Sequence, residues 1–142
     1  MAKKRIVLTG ASGYVAQRMM DALNERYDLV CLDVTDKTRD GKPIPNVHIV
    51  DLTNADRDAY RAHFKGADTV VHCAFTRAKR KQGGNWADTS EDKWLSEYIN
   101  VGMAYNIYKT SIEEGVKRVV VCSSNHAADY YERLWFEDKL ET

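Results

Sequence analysis

The stretch Ile6-Val7-Leu8-Thr9-Gly10-Ala11-Ser12-Gly13-Tyr14-Val15-Ala16 decides the fold. A short apolar run enters a turn with two glycines, and a helical pattern leaves it. Gly10 allows a tight backbone turn, and Gly13 lets a pyrophosphate come close to the helix N-terminus. Ser12, Tyr14 and Val15 supply backbone N–H groups at that end. Such a strand–turn–helix predicts a dinucleotide cofactor. The third glycine of the pattern is replaced by Ala16, small enough for close helix–sheet packing. The alternative reading is a purely structural turn.

Outward from this turn, strands and helices alternate. Residues 5–9 read as a strand and 13–26 as a helix with Val15, Met19, Ala22 and Leu23 on one face. Residues 28–33 form a second apolar strand that ends in Asp33. Residues 35–46 hold both prolines and read as loop. Residues 47–50 are a short third strand, followed by Asp51. Asn54 caps a helix running to about residue 65, with Tyr60 and Phe64 inward. Residues 69–73 are a fourth strand and 76–90 a long polar loop with Gly83-Gly84. In the long helix 91–114 the apolar positions Trp94, Tyr98, Val101, Tyr105, Tyr108 and Ile112 advance by four, three, four, three and four. Leu95, Ile99 and Ile107 extend that stripe sideways. Gly115 is suited to end the helix. Residues 118–122 are a fifth apolar strand, leading into Ser123-Ser124-Asn125-His126. Near-continuous apolar strands alternating with helices imply a parallel sheet covered on both faces. The expected fold is therefore α/β, a Rossmann-type doubly wound sheet of strand order 3-2-1-4-5.

Ligands of such sheets lie at the carboxyl ends of the strands, so those ends can be read together. Asp33, at the end of strand 2, can accept hydrogen bonds from the adenosine ribose. It would repel a 2′-phosphate, which favours NAD over NADP. Asp51 can meet the adenine amino group, with Leu52 against the ring. The small residues of Cys73-Ala74 let the backbone run close to the cofactor. His72 reads either as a ligand or base, or as a packed, hydrogen-bonded side chain. Ser123 and Ser124 can hydrogen-bond a substrate carbonyl or hydroxyl, or simply start a loop. No G-x-S-x-G elbow is present to support a serine hydrolase.

Composition narrows the classes. The 142 residues make one domain, and 44% of them are hydrophobic, enough for a core. The 21 basic and 21 acidic residues balance, which argues against a nucleic-acid partner. No apolar stretch approaches the ~18–20 residues of a membrane span, and the N-terminal run is too short for a signal-peptide core. A cytoplasmic protein is expected. Cys31, Cys73 and Cys122 sit in apolar runs and read as buried strand thiols, neither a disulfide framework nor a metal site. The four histidines have no metal-ligand spacing.

The chain resembles the N-terminal half of extended short-chain dehydrogenase/reductases, the NAD-dependent epimerase/dehydratase family. The matching pieces are Thr9-Gly10-Ala11-Ser12-Gly13-Tyr14-Val15, Asp33, Asp51-Leu52, Val71-His72-Cys73-Ala74, Asn100-Val101-Gly102 with Asn106, and 117–124. They come in the family's order across residues 4–126. The resemblance implies that Gly10, Ser12, Gly13, Tyr14 and Val15 hold the pyrophosphate, Asp33 the ribose, and Asp51 with Leu52 the adenine. Cys73 and Ala74 would line the cofactor's middle, and Asn100 would support the active-site backbone around it. Ser124 matches the family's catalytic serine. The Ser123-Ser124-Asn125-His126 segment is most similar to uronate dehydrogenases, which implies a sugar-acid contact for Ser123, Asn125 and His126.

One family element is missing: no Y-x-x-x-K follows Ser124. That pair is the family's general acid/base, the lysine lowering the tyrosine pKa. The expectation is thus an NAD-binding domain over residues 1–142, with 127–142 opening the catalytic region, cut before the tyrosine and inactive alone. The activity implied is that of an oxidoreductase or epimerase of sugar-like substrates. The alternatives are an NAD-sensing module without catalysis and a structural domain with a vestigial site. In relatives the long helix packs with the tyrosine-bearing helix, often across a homodimer interface. Its aromatic stripe is therefore expected to be partly exposed here, unless it lies on the sheet. The basic run Arg77, Lys79, Arg80 and Lys81 reads as a solvated loop or a guide for an anionic substrate.

Overall fold

Strands β1 (Arg5–Thr9), β2 (Asp28–Asp33), β3 (Val47–Ile49), β4 (Thr69–His72) and β5 (Arg118–Val121) form one sheet, all parallel. Their order is β3-β2-β1-β4-β5, as expected from the sequence. The computed structural model describes residues 2–76, 90–124, 127 and 129–139. The basic run at 77–81 and Gly83-Gly84 lie outside these residues, as do Asn125 and His126.

The strands alternate their side chains between two cores, as a sheet covered on both faces requires. Ile6, Leu8, Cys31 and Val71 face helix α1 (Tyr14–Arg26) and pack with Ala16 and Met20. Val7, Leu32 and Val70 face the other way, toward Tyr60, Phe64, Met103 and Ile107. Tyr60 and Phe64 are fully buried, as their spacing implied. Each such aromatic contributes on the order of 2–3 kcal/mol by leaving water.

Several local expectations are corrected. The inward face of α1 is Ala16, Met19, Met20 and Leu23, whereas Val15 and Ala22 are exposed. Val15 lies in the first turn of the helix, where it is 49% exposed. The helix expected from Asn54 shrinks to α2 (Asp58–Arg61) and one 3₁₀ turn (Ala62–Phe64). Asn54 Oδ1 accepts the Asp56 N–H, and Asp56 Oδ1 accepts the Asp58 N–H. These two side-chain turns compete with helix and delay it by a full turn. Strand β5 exposes Val120 and Val121. Of the thiols only Cys31 is buried; Cys73 is half-buried and Cys122 exposed.

Helix α3 (Ser90–Glu113) turns Met103, Ile107, Thr110 and Ser111 to the sheet. The stripe from Trp94 to Ile112 is exposed throughout, at 41–74%. Ile107, expected beside the stripe, belongs instead to the core. Gly115, at φ +70, ends the helix in a Schellman motif. Its N–H donates to Ile112 O at 3.2 Å and that of Val116 to Ser111 O at 2.9 Å. Helix α4 (Asp129–Phe136) has no buried residue.

The C-terminal end of α3 is tied to α2 by ions. Arg57 grips Glu113 through two bonds of 2.7 and 3.1 Å, and Arg61 reaches Glu113 at 2.7 Å and Glu114 at 3.3 Å. The hydrogen bonds from Arg57 and then Arg61 hold the Glu113 carboxyl down to about 2. Burial pushes His72 below its ordinary value of 6.5, and burial with nearby His48 does the same to His63. Below 6.5 the unfolded chain therefore binds protons that the folded chain resists, and stability falls as pH drops. The Glu113 contribution is full above its ordinary 4.5 and is lost as pH falls toward 2. Thermal melts should thus show Tm decreasing from pH 7 to 5 and again below 4.5. His72→Gln should flatten the first slope. A Tm unchanged between pH 7 and 5 would refute the histidine part.

Candidate functional site

The chain leaves β1 toward β2 on one side and later returns to β4 on the other. The crevice at this switch point opens at the carboxyl ends of the strands. It forms a groove of about 1020 Å³. Gly10, Ser12, Gly13, Tyr14, Val15 and Ala16 line one wall. Asp33, Asp51 and Leu52 line the β2–β3 end, and Cys73 and Ala74 the floor at β4.

Gly10 has φ +71, a conformation that side chains disfavour. The space is closed to a side chain as well. An added Cβ would lie 2.6 Å from Ala74 Cα and N and 2.7 Å from the Cys73 carbonyl carbon. The glycine turn and the end of β4 therefore touch backbone to backbone. The turn also hangs on β2, since the Gly10 and Ala11 N–H groups donate to Leu32 O at 2.9 and 3.3 Å. Gly13 is different: its backbone is ordinary extended, with φ −72 and ψ 153. A Cβ there would sit 3.1 Å from Gly10 O. Glycine at 13 keeps that contact open and leaves the helix end bare.

Helix α1 begins with no capping side chain and no acid in its first turn. The first backbone donor to be satisfied inside it is that of Gln17, to Gly13 O at 3.0 Å. The N–H groups of Tyr14, Val15 and Ala16 have no helical acceptor. With the helix dipole they make a site for an anion. The Arg18 guanidinium, 4.3 Å over the Tyr14 ring, adds positive charge beside it.

Asp33 does more than the sequence suggested. Its carboxylate is 7% exposed and accepts the Ser12 N–H at 2.8 Å through Oδ2 and the Thr35 N–H at 3.2 Å through Oδ1. It fastens the glycine turn to β2, and Ser12 gives its N–H to Asp33. An ionised carboxylate has about four acceptor positions, more than these two bonds use. Asp51 is exposed, and its Oδ1 takes the Thr53 N–H and hydroxyl at 2.9 and 2.6 Å. Leu52 is 3% exposed, joining the α3-side core to the groove.

His72 is a packed side chain. It is 5% exposed, and its Nδ1 shares a 2.7 Å hydrogen bond with Thr9 Oγ1. Asn100 does not line the groove. Its amide clamps the Thr76 backbone, Oδ1 accepting the N–H and Nδ2 donating to the carbonyl, both at 2.9 Å. It thereby pins the chain after β4 against α3. Ser123 and Ser124 follow β5 at the same sheet edge, exposed and outside the groove's lining. Among the described residues no three His, Cys, Asp or Glu side chains could hold a metal, and no helix is long and apolar enough to cross a membrane.

Sequence reading missed part of the lining. Val34, Thr35 and Phe75 flank predicted residues, and Phe75 is 60% exposed at the mouth. Ile99 and Met103 reach the groove from α3. The sequence placed Ile99 only as a sideways extension of the aromatic stripe and did not single out Met103, four residues on along the same face.

The profile of the NAD-dependent epimerase/dehydratase family matches residues 6–141. The chain belongs to this family. Among curated relatives of this epimerase/dehydratase chain is the L-arabinose 1-dehydrogenase (NAD(P)(+)) of Haloferax volcanii, 32% identical over 129 residues. The match covers 89% of this chain and 43% of that protein. The uronate dehydrogenase of Pseudomonas syringae pv. tomato is 27% identical, with 91% of this chain and 42% of that protein covered. The chain thus spans less than half the length of these relatives. Among solved structures, uronate dehydrogenase from Agrobacterium tumefaciens superposes with a TM-score of 0.62 at 27% identity, covering 89% of this chain and 42% of that one. A mutant of that enzyme complexed with NAD gives a TM-score of 0.61 at 26% identity, over 88% and 42%.

Proposed function

We propose that the groove holds NAD and that this chain is the cofactor-binding part of an oxidoreductase or epimerase of sugar or sugar-acid substrates. One observation carries the reading: a bare, acid-free helix N-terminus and the buried Asp33 carboxylate line one groove. These are complementary to the two ends of an adenosine diphosphate moiety. The Tyr14 and Val15 N–H groups would hold the pyrophosphate, with Gly10 and Gly13 keeping the approach clear and Ser12 reaching it through its hydroxyl. Asp33 would hold the ribose, and Asp51 with Leu52 the adenine. Cys73 and Ala74 would carry the middle of the cofactor, braced by the Asn100 clamp. When bound, NAD supplies a hydride acceptor. Ser124 would orient the reacting hydroxyl, and Ser123, Asn125 and His126 would contact the substrate. The uronate and arabinose dehydrogenase relatives support a sugar-type substrate.

Without a Y-x-x-x-K after Ser124, the 142-residue chain should bind NAD and transfer no hydride. Calorimetry should show saturable one-to-one binding of NAD. No NADH absorbance should appear with aldoses or uronic acids. Absence of any binding heat overturns the cofactor reading. NADH formation that is lost in Ser124→Ala overturns the reading of the chain as inactive alone.

A further inference from the structure

Cys73 and Cys122 are neighbours on adjacent parallel strands, one step beyond the register pair His72 and Val121. Their Sγ atoms lie 3.2 Å apart. The ladder continues through both residues. The Cys73 N–H donates to Thr9 O at 3.1 Å, and the Cys122 N–H donates to His72 O at 3.0 Å. Adjacent strands run about 4.8 Å apart, inside the Cα spacing that a disulfide spans. Closing the bond requires the sulfurs to approach from 3.2 Å to ~2.05 Å, which draws the ends of β4 and β5 together. Cys31 is buried on β2, with β1 between it and Cys73. Cys122 is exposed and Cys73 lines the groove floor.

We propose that Cys73 and Cys122 form a reversible dithiol–disulfide site that a small-molecule disulfide oxidises, and that the bond loosens the cofactor groove. In the first step the Cys122 thiolate attacks one sulfur of the reagent, forming a mixed disulfide and releasing one thiolate. That thiolate takes up a proton. Cys73 then loses its proton to solvent and attacks Cys122 Sγ, releasing the second thiol. Two protein thiols are oxidised, and one reagent disulfide is reduced to two thiols. Burial, then the hydrogen bond and charge of Cys122, push the free Cys73 thiol up to about 12. Capping removes the charge of Cys122, while burial, the largest cause, remains, so the second step is the slower one.

The bond is felt in the groove because Gly10 rests directly on the Cys73–Ala74 backbone. A shift of β4 toward β5 therefore displaces the turn that presents the helix N–H groups. This coupling rests on the NAD reading above; the disulfide does not.

The test treats the chain with oxidised glutathione and measures intact mass, a peptide map and NAD affinity. Wild type should lose two hydrogens without dimerising and yield a cross-linked Cys73–Cys122 peptide. Cys73→Ser should instead stop with one glutathione on Cys122, and Cys122→Ser should take none at 73. Oxidised wild type should bind NAD about fivefold more weakly or worse, and recover on reduction. A stable glutathione adduct or an intermolecular dimer in wild type overturns the site. A cross-link with unchanged NAD affinity overturns the coupling. Failure of the reduced chain to bind NAD instead strikes the cofactor reading, and the peptide map still decides the disulfide.

Discussion

Gly10→Ala is expected to destabilise the domain by about 3 kcal/mol or more, a large share of the roughly 5–15 kcal/mol that holds a domain folded. Two costs add. A side chain at positive φ costs about 1–2 kcal/mol. The new methyl would also meet the backbone of residues 73 and 74 at 2.6–2.7 Å, where no flexible side chain can move aside. Relief requires β4 to move from β1, against the ladder that pairs Leu8 with Val71 and Thr9 with His72. Gly115 separates the two costs. It has φ +70 but nothing within 4 Å of an added Cβ, so Gly115→Ala should lose only about 1–2 kcal/mol. Urea titrations of both variants, compared at constant m, measure the difference. Equal losses at 10 and 115 would mean that the contact with β4 yields freely and that φ alone matters there.

Gly10 also shows how far the sequence could be read. A turn and a cofactor followed from Gly10, Gly13 and Asp33, and a sheet order from the alternation of apolar strands with helices and from handedness. The parallel sheet in order β3-β2-β1-β4-β5 bears out the order. The contact of Gly10 with the end of β4 was not legible, since it joins residues more than sixty positions apart. The partner of Asn100, Thr76, 24 positions away, and the sulfur pair of Cys73 and Cys122, 49 positions apart, were likewise not legible in the residues alone. Nothing local in those segments requires their partners.

Helix α3 shows a different limit. Its sequence carries two stripes of equal period, Trp94 to Ile112 and Met103-Ile107-Thr110. Periodicity finds the helix but not which stripe the sheet covers. The covered one is the smaller, and it buries the hydroxyls of Thr110 and Ser111 without a hydrogen-bond partner. Close approach of helix to sheet favours small side chains there, while the bulky stripe remains outside. Ile44 was hidden for another reason. It sits between two prolines in a loop, yet it is 6% exposed in the α1-side core. The backbone N–H of Ile44 donates to Asp36 O at 2.6 Å, folding the loop back over the sheet.

Asp33→Ala should weaken NAD binding about 10- to 100-fold, the usual worth of hydrogen bonds to a charged acceptor. Affinity alone does not decide the role of Asp33, because the same carboxylate braces the glycine turn through Ser12 and Thr35. Removing it disturbs the pyrophosphate site as well as the ribose site. NADP separates the two effects. Its 2′-phosphate would meet the Asp33 charge, so the wild type should discriminate strongly against it. Asp33→Asn keeps an acceptor oxygen for one of the two N–H groups and loses the charge. The amide NH2 faces the other N–H, so the variant should lose about 1–3 kcal/mol of stability and still fold. Its NADP-to-NAD affinity ratio should nevertheless rise about tenfold or more. If both cofactors instead weaken equally in Asp33→Asn and Asp33→Ala, the ratio stays fixed and Asp33 acts only as a brace. A raised ratio in the folded variant places the charge beside the 2′ position, since bracing has no means of telling a hydroxyl from a phosphate.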